Sequence, residues 1–315
     1  MSKKHSDYSI SKEFFPIDHL TPPMSIPILN VSQKILRAPR FLWKDPELKV
    51  TETEIPTYDD DKITLYIISP ADAEEKLPCL VFYHGGGFIY EGFNNHYRLA
   101  MMYAKYGRCK VIYVKYRLAP KYTYPTPQED AFTAFEWVCN NADELGILPD
   151  KIGVTGDSAG GMLAVTTSLL AIKRNSSVHP FFQLIAYPWL DGRNNSDSCK
   201  RFTDTPMWNS KMTEKLIPIV NPEPDKVPLY LSSPVEADSF KGLPPAYIEV
   251  AEFDCLHDDG ILYADLLKKE GIDVKLYESK GTMHGFDTKM SAPTSKKMIK
   301  KRIWYIRKMF KGDKE

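Results

Sequence analysis

A serine flanked by glycines two residues away on each side, between an apolar run and a helix, leaves a chain few folds to choose from. Residues 151–161 read Lys-Ile-Gly-Val-Thr-Gly-Asp-Ser-Ala-Gly-Gly. The β-branched run 152–155 predicts a buried strand end. From Gly161 the pattern turns helical, with Met162, Leu163, Val165, Leu169 and Leu170 on the face to be buried. Gly156 and Gly160 let strand and helix approach closely, and the turn between them strains the backbone of Ser158. The strain lifts the hydroxyl clear of the sheet. It also sets backbone N–H groups at a helix N-terminus, where negative charge is stabilised. An ordinary strand-to-helix turn is the competing reading, and the rest of the chain has to decide.

At 315 residues the chain can bury a large core, enough for one big α/β domain with a subsidiary element or for two smaller domains. Lys and Arg number 41 and Asp and Glu 41, so no global field draws the protein to nucleic acid or an anionic surface. No apolar run is long enough to span a bilayer, and stable membrane insertion is not expected. Cys79, Cys109, Cys139, Cys199 and Cys255 are odd in number, widely spaced and without a Cys-x-x-Cys pair. Buried free thiols in a reducing compartment are expected, not a disulfide framework or a zinc site. Residues 1–7 lead into no apolar stretch of the kind a secretory signal needs, so a cytoplasmic location is expected.

Residues 1–46 are irregular and proline-punctuated, with a short amphipathic helix predicted over 28–36. Phe14, Phe15, Phe41, Leu42 and Trp43 call for a surface to bury against. Residues 47–56 and 63–69 read as a hairpin about Asp59-Asp60-Asp61. Further strands are expected over 77–83, 110–116, 181–187, 246–250 and 274–278. Helices are expected over 96–106, 128–145, 259–270 and 293–310. Alternation of strand and helix predicts a mostly parallel, eight-stranded sheet with helices on both faces and the antiparallel hairpin at one edge. Residues 191–242 break the rhythm, and a stretch this long inside a domain is usually functional. We read 47–190 and 243–315 as the core. Segments 1–46 and 191–242 form a helical cap over the sheet's C-terminal edge. The last helix carries Lys296, Lys297, Lys300, Lys301, Arg302, Arg307 and Lys308 beside Ile299, Ile303, Ile306 and Phe310. The apolar stripe is expected to pack on the sheet and the basic residues to be solvated.

A serine hydroxyl is a weak nucleophile and needs a base within hydrogen-bond reach, itself oriented by a carboxylate. The elbow motif implies the chain order serine, acid, histidine. Three histidines follow Ser158. His179 precedes a proline with no strand-ending acid before it, and His257 follows the Asp254 strand too closely to bend back. His284, in Gly-Thr-Met-His-Gly-Phe just past the last strand, is the candidate base. Asp254 ends the preceding strand and is the candidate acid. Asp258 and Asp259 compete but suit the first turn of the next helix, and Glu252 and Asp287 are less well placed. Gly85-Gly86-Gly87 follows a strand directly, so its N–H groups can face an oxyanion together with that of Ala159. No P-loop Lys-Ser/Thr follows these glycines. His84 is expected to brace the loop backbone.

These blocks resemble the hormone-sensitive lipase family of α/β-hydrolase esterases, in its bacterial branch with the Gly-Asp-Ser-Ala-Gly elbow. The resemblance runs over 77–290. It implies Ser158, Asp254 and His284 as catalytic triad, Gly86, Gly87 and Ala159 as oxyanion donors, and a cap made by the N-terminal segment and the 191–242 insertion. It implies a serine carboxylesterase for short- to medium-chain esters, with a small-molecule ester as substrate and no cofactor or metal. A homodimer formed through a sheet edge is the family's habit. Cys255-Leu256-His257 departs from the family's usual Pro-Leu-Arg after the acid. The rival reading is a non-catalytic receptor for a hydrophobic ligand; plant gibberellin receptors resemble the family but lack the histidine. An acyltransferase is a lesser rival.

Overall fold

The computed structural model describes residues 8–22, 24 and 44–311. Its centre is an eight-stranded sheet in the order β1-β2-β4-β3-β5-β6-β7-β8. The strands are β1 (Leu48–Pro56), β2 (Lys62–Pro70), β3 (Leu77–Tyr83), β4 (Lys110–Lys115), β5 (Ile147–Asp157), β6 (Gln183–Ala186), β7 (Ala246–Phe253) and β8 (Val274–Met283). Only β2 runs against its neighbours, pairing antiparallel with β1 and β4. The others pair in parallel. The expected hairpin therefore sits at one edge, and the α/β-hydrolase fold is the observed one.

The apolar strands show both faces covered. In β3, Cys79, Val81 and Tyr83 join one core, and Leu80 and Phe82 join the other. A strand buried on both faces reads as a continuous apolar run because each alternate side chain meets a helix layer. Helices α1 (Asn94–Gly107) and α8 (Pro293–Lys311) cover the Leu80 side. Helices α2 (Thr126–Asn140), α3 (Ala159–Lys173) and α7 (His257–Lys269) cover the other. Helix α3 is buried on all sides from Ala159 to Ala171, so its sequence is apolar all round and not striped.

Several element ends moved, three of them with consequences for the site or its supports. The helix expected over 128–145 starts at Thr126 and stops at Asn140. The strand expected over 181–187 is the four-residue β6. The strand expected over 274–278 continues to Met283. A register shift between Ala251 and Phe253 brings Met283 opposite Phe253, so the residues that follow, Asp254 and His284, emerge side by side.

The 191–242 segment joins β6 to β7 and contains α4 (Asp197–Arg201), α5 (Ser210–Val220) and α6 (Leu229–Ser232). Asn209 caps α5 by accepting the Met212 N–H at 3.1 Å. Helix α5 turns Met212, Leu216 and Val220 inward at four-residue spacing. Residues 8–20 run along this segment and the His284 loop. Tyr8 donates to Asp204 at 2.6 Å, Ser11 N–H to the Gly281 carbonyl at 2.9 Å, and Met207 N–H to the Leu20 carbonyl at 2.6 Å. Phe14 is fully buried against Phe286, but Phe15 is 63% exposed, against expectation. The helix expected over 28–36 and residues Phe41, Leu42 and Trp43 lie outside the described residues. Among the described residues, no helix is long and apolar enough to cross a membrane. The apolar stripe of α8 is buried at Ile299, Ile306 and Phe310, and so is Arg302, which corrects its placement among the solvated basic residues.

Candidate active site

Ser158 stands between β5 and α3 with φ 53° and ψ −120°. A non-glycine residue held there carries strain of about 1–3 kcal/mol, so the surroundings must over-determine it. They do. Its N–H donates to the Ala186 carbonyl at 3.0 Å, and its carbonyl accepts from Trp189 at 3.1 Å and Met162 at 3.3 Å. A Cβ on Gly156 would stand 2.2 Å from the Gly160 carbonyl oxygen, and one on Gly160 would stand 2.1 Å from that of Tyr83. Strand, turn and helix are packed backbone to backbone.

Three strand ends meet at this point. The Ser158 hydroxyl donates to His284 Nε2 at 2.9 Å. His284 Nδ1–H donates to Asp254 Oδ2 at 2.7 Å. The second Asp254 oxygen accepts the Leu256 N–H at 2.9 Å, and the carboxylate is fully buried. His284 is also buried, and Ser158 is half-buried. The competing acids are occupied elsewhere. Asp258 accepts from Ser198 N–H at 2.7 Å. Asp259 accepts from Leu190 and Asp191 N–H at 2.9 and 3.0 Å, and Glu252 accepts from Gly281 N–H at 2.7 Å. Asp287 turns to Arg302 at 2.6 Å. His257 lies between Asp258 and Glu278, and His179 is exposed. Burial pushes the Cys199 thiol up to about 11 and that of Cys139 up to about 12, so neither is a thiolate rival at neutral pH.

Beside Ser158 lies the loop after β3. Gly86 has φ +118° and Gly87 φ +60°, conformations an L side chain rarely adopts. The loop is anchored from below through Asp157, the residue before the serine. Gly85 N–H donates to Asp157 Oδ1 at 3.2 Å. His96 Nε2 meets Asp157 Oδ2 at 3.1 Å, while His96 Nδ1 accepts the Phe93 N–H at 2.9 Å. From above, a Cβ on Gly87 would stand 3.0 Å from Leu216 and 3.3 Å from Trp208. The Trp208 ring centroid lies 6.4 Å from that of His284, and its Nε1–H is held by Thr213 at 2.9 Å. Within the 191–242 segment, Trp208 therefore borders the Ser158–His284–Asp254 chain. Phe202 packs on Tyr8 and Phe253.

His84 closes this loop. Its Nδ1–H donates to the Gly85 carbonyl at 2.7 Å, and its carbonyl accepts the Tyr116 O–H at 2.6 Å. Burial, with the neighbouring His96 ring adding to it, holds the His84 imidazole down at about 3. The unfolded chain takes up this proton near pH ~6.5 and the folded protein only near 3. In that window the unfolded state binds more protons, so stability is full above ~6.5 and falls with acidification by up to about 1.4 kcal/mol per pH unit. Urea unfolding of wild type and His84→Asn between neutral and acid pH should show the shallower pH slope in the variant. Equal slopes would remove His84 as the source.

Sequence reasoning passed over Tyr187, His96 and Arg302. Arg302 had a signal, since it shares the inward stripe with Ile299 and Ile306 at helical spacing.

A mostly parallel sheet that brings a serine, a histidine and a carboxylate together from three strand ends is the α/β-hydrolase architecture. The chain belongs to the alpha/beta hydrolase fold family, whose model matches residues 80–288, in its hormone-sensitive-lipase-like esterase branch. It is 35% identical over 247 residues to the carboxylesterase NlhH of Mycobacterium tuberculosis, covering 76% of each chain. It is 30% identical over 246 residues to an ethyl acetate hydrolase of Pseudomonas putida, covering 75% of each. Among solved structures, a bacterial heroin esterase matches with a TM-score of 0.86 and 29% identity, over 96% of this chain and 98% of that one. The protein is a carboxylic ester hydrolase.

Proposed function

We propose that this chain is a serine esterase for short- to medium-chain carboxylic esters, with Ser158 as nucleophile, His284 as general base and acid, and Asp254 as the orienting carboxylate. The observation that carries the reading is the continuous chain Ser158 Oγ–His284 Nε2 at 2.9 Å and His284 Nδ1–Asp254 Oδ2 at 2.7 Å. The hydroxyl attacks the ester carbonyl as its proton passes to Nε2. The imidazolium, stabilised by Asp254, returns that proton to the leaving alcohol. Water then repeats the sequence on the acyl-enzyme. The N–H groups of Gly86, Gly87 and Ala159 receive the oxyanion, each worth on the order of 3 kcal/mol in the transition state.

In this reading residues 8–20 and 191–242 act as a cap that limits the acyl group. Leu216 and Trp208 stand over Gly87, which leaves little room beyond the carbonyl. The ethyl acetate hydrolase relative points to short acyl groups as well. Across p-nitrophenyl acetate, butyrate, octanoate and palmitate, kcat/KM should peak at acetate or butyrate and fall at least about 100-fold by palmitate, the scale of a few misfitted methylenes. Trp208→Ala should move the optimum toward octanoate. A profile highest at palmitate would refute the short-chain reading while leaving the triad untouched.

A further inference from the structure

Arg302 lies in the middle of the basic α8 and is fully buried. Its guanidinium forks onto Glu249, with Nε 2.9 Å from Oε2 and Nη2 2.6 Å from Oε1. Its Nη1 donates to Asp287 Oδ2 at 2.6 Å. The other Asp287 oxygen accepts the Tyr187 O–H at 2.5 Å. Glu249 is held further by the Tyr247 O–H at 3.0 Å.

Glu249 and Asp287 sit on segments bearing Asp254 and His284, and Tyr187 lies on the strand end that hydrogen-bonds to Ser158. Glu249 is in β7, which runs into Asp254. Asp287 lies just beyond His284, in the helical turn Phe286–Thr288. Tyr187 follows Ala186, whose carbonyl accepts the Ser158 N–H at 3.0 Å, and its own N–H donates to the Glu249 carbonyl at 2.5 Å. The Tyr187 ring stands edge-on to His284, centroids 5.1 Å apart. Tyr187 also has φ 34°, a strained value for an aromatic residue.

Taking one cation and two carboxylates out of water is expensive, and an apolar trio of similar volume would fill the space at less cost. What the ions add is direction. A planar guanidinium satisfied on two edges fixes the two carboxylates relative to each other. Through them it fixes β7 and the His284 loop, and through the Tyr187 hydroxyl the segment beside Ser158.

We propose that Arg302, Asp287 and Tyr187 are positioning residues, which hold the His284 ring in register with the Ser158 hydroxyl during acyl transfer. The proposal rests on the triad reading above. None of the three touches a reacting atom. A misplacement of ~1 Å at the reacting groups can cost about 100-fold in rate.

The test uses Tyr187→Phe, which removes one oxygen and keeps the ring against His284, and Asp287→Asn, which keeps the shape and removes the charge. Turnover of p-nitrophenyl butyrate is measured per titrated active site, together with KM, the melting temperature, and the rate at which an activated p-nitrophenyl phosphonate modifies the serine. Tyr187→Phe should lose about tenfold in kcat with KM within about twofold, and phosphonylation should slow by the same factor. Asp287→Asn should lose more, and Arg302→Lys, which keeps the charge without the fork, should fall with it. A lower melting temperature with kcat unchanged overturns the proposal, and so does a change confined to KM. If Asp287→Asn or Arg302→Lys is not recovered folded, Tyr187→Phe decides. Ser158→Ala run beside them separates the two readings. Full turnover in Ser158→Ala overturns the triad and this proposal with it. An inactive Ser158→Ala beside an unimpaired Tyr187→Phe overturns this proposal alone.

Discussion

Ser158→Ala should lower kcat on p-nitrophenyl butyrate by roughly 10⁴- to 10⁶-fold, and His284→Ala by a similar factor. The two losses should not add. Oγ and Nε2 share one proton at 2.9 Å, so removing either leaves the other without a task, and the double variant should be no slower than the worse single one. Residual hydrolysis above the uncatalysed rate would come from the oxyanion donors and substrate binding. Steady-state turnover of purified protein checks this, with circular dichroism to verify the fold. A Ser158→Ala enzyme within tenfold of wild type would place the nucleophile elsewhere. Wild type and variant both inert on every ester, with a hydrophobic ligand still bound, would favour the receptor reading.

Gly160→Ala should be among the most damaging single methyl groups at the described glycines. Its Cβ would lie 2.1 Å from the Tyr83 carbonyl oxygen and 2.7 Å from that of His84. Both are backbone atoms at the end of β3, and neither can swing aside as a flexible side chain could. Overpacking a core position commonly costs 1–3 kcal/mol, and here the clash is with backbone, so about 3–5 kcal/mol is expected. The displacement would also move the Gly85–Gly87 loop, which starts at that strand end, so activity should fall at temperatures where the protein is still folded. Gly271→Ala is the contrast. Gly271 has φ +76° and nothing within 4 Å of the added carbon, so only the left-handed conformation is penalised, at about 1–2 kcal/mol. Urea denaturation of both variants tests the ranking. Equal destabilisation would mean that the elbow yields more readily than its contacts imply.

The elbow, the glycine loop and the strand–helix alternation were legible because each rests on local chemistry. A period-two pattern buried on both faces gives a continuous apolar strand, as in β3 and β4. The elbow glycines are demanded by backbone approach that no other residue permits. Boundaries were less legible. Helix α2 stops at Asn140 although the sequence stays compatible with helix to Leu145: the Asn141 side-chain amide takes up the Trp137 carbonyl at 2.8 Å, and turns over 141–146 lead through Gly146, at φ +61°, into β5. The long extension of β8 depends on a bulge opposite β7, which no local pattern announces.

Order along the chain and position past a strand end singled out Ser158, Asp254 and His284 as candidates, because parallel strands deliver their C-terminal ends to one edge. The sequence by itself thus determined the fold class, the elbow and the residues that could meet at that edge. The tertiary structure alone decided that Trp208 and Leu216 would stand over Gly87, that Asp157 would be tied to both Gly85 and His96, and that Arg302 would find Glu249 and Asp287 as partners. The spacing of Arg302 with Ile299 and Ile306 marks the inward face, but it does not show the partners that make a buried charge tolerable there. The burial of Arg302 depends on two carboxylates, 53 and 15 residues away along the chain, and only the folded sheet brings them within reach.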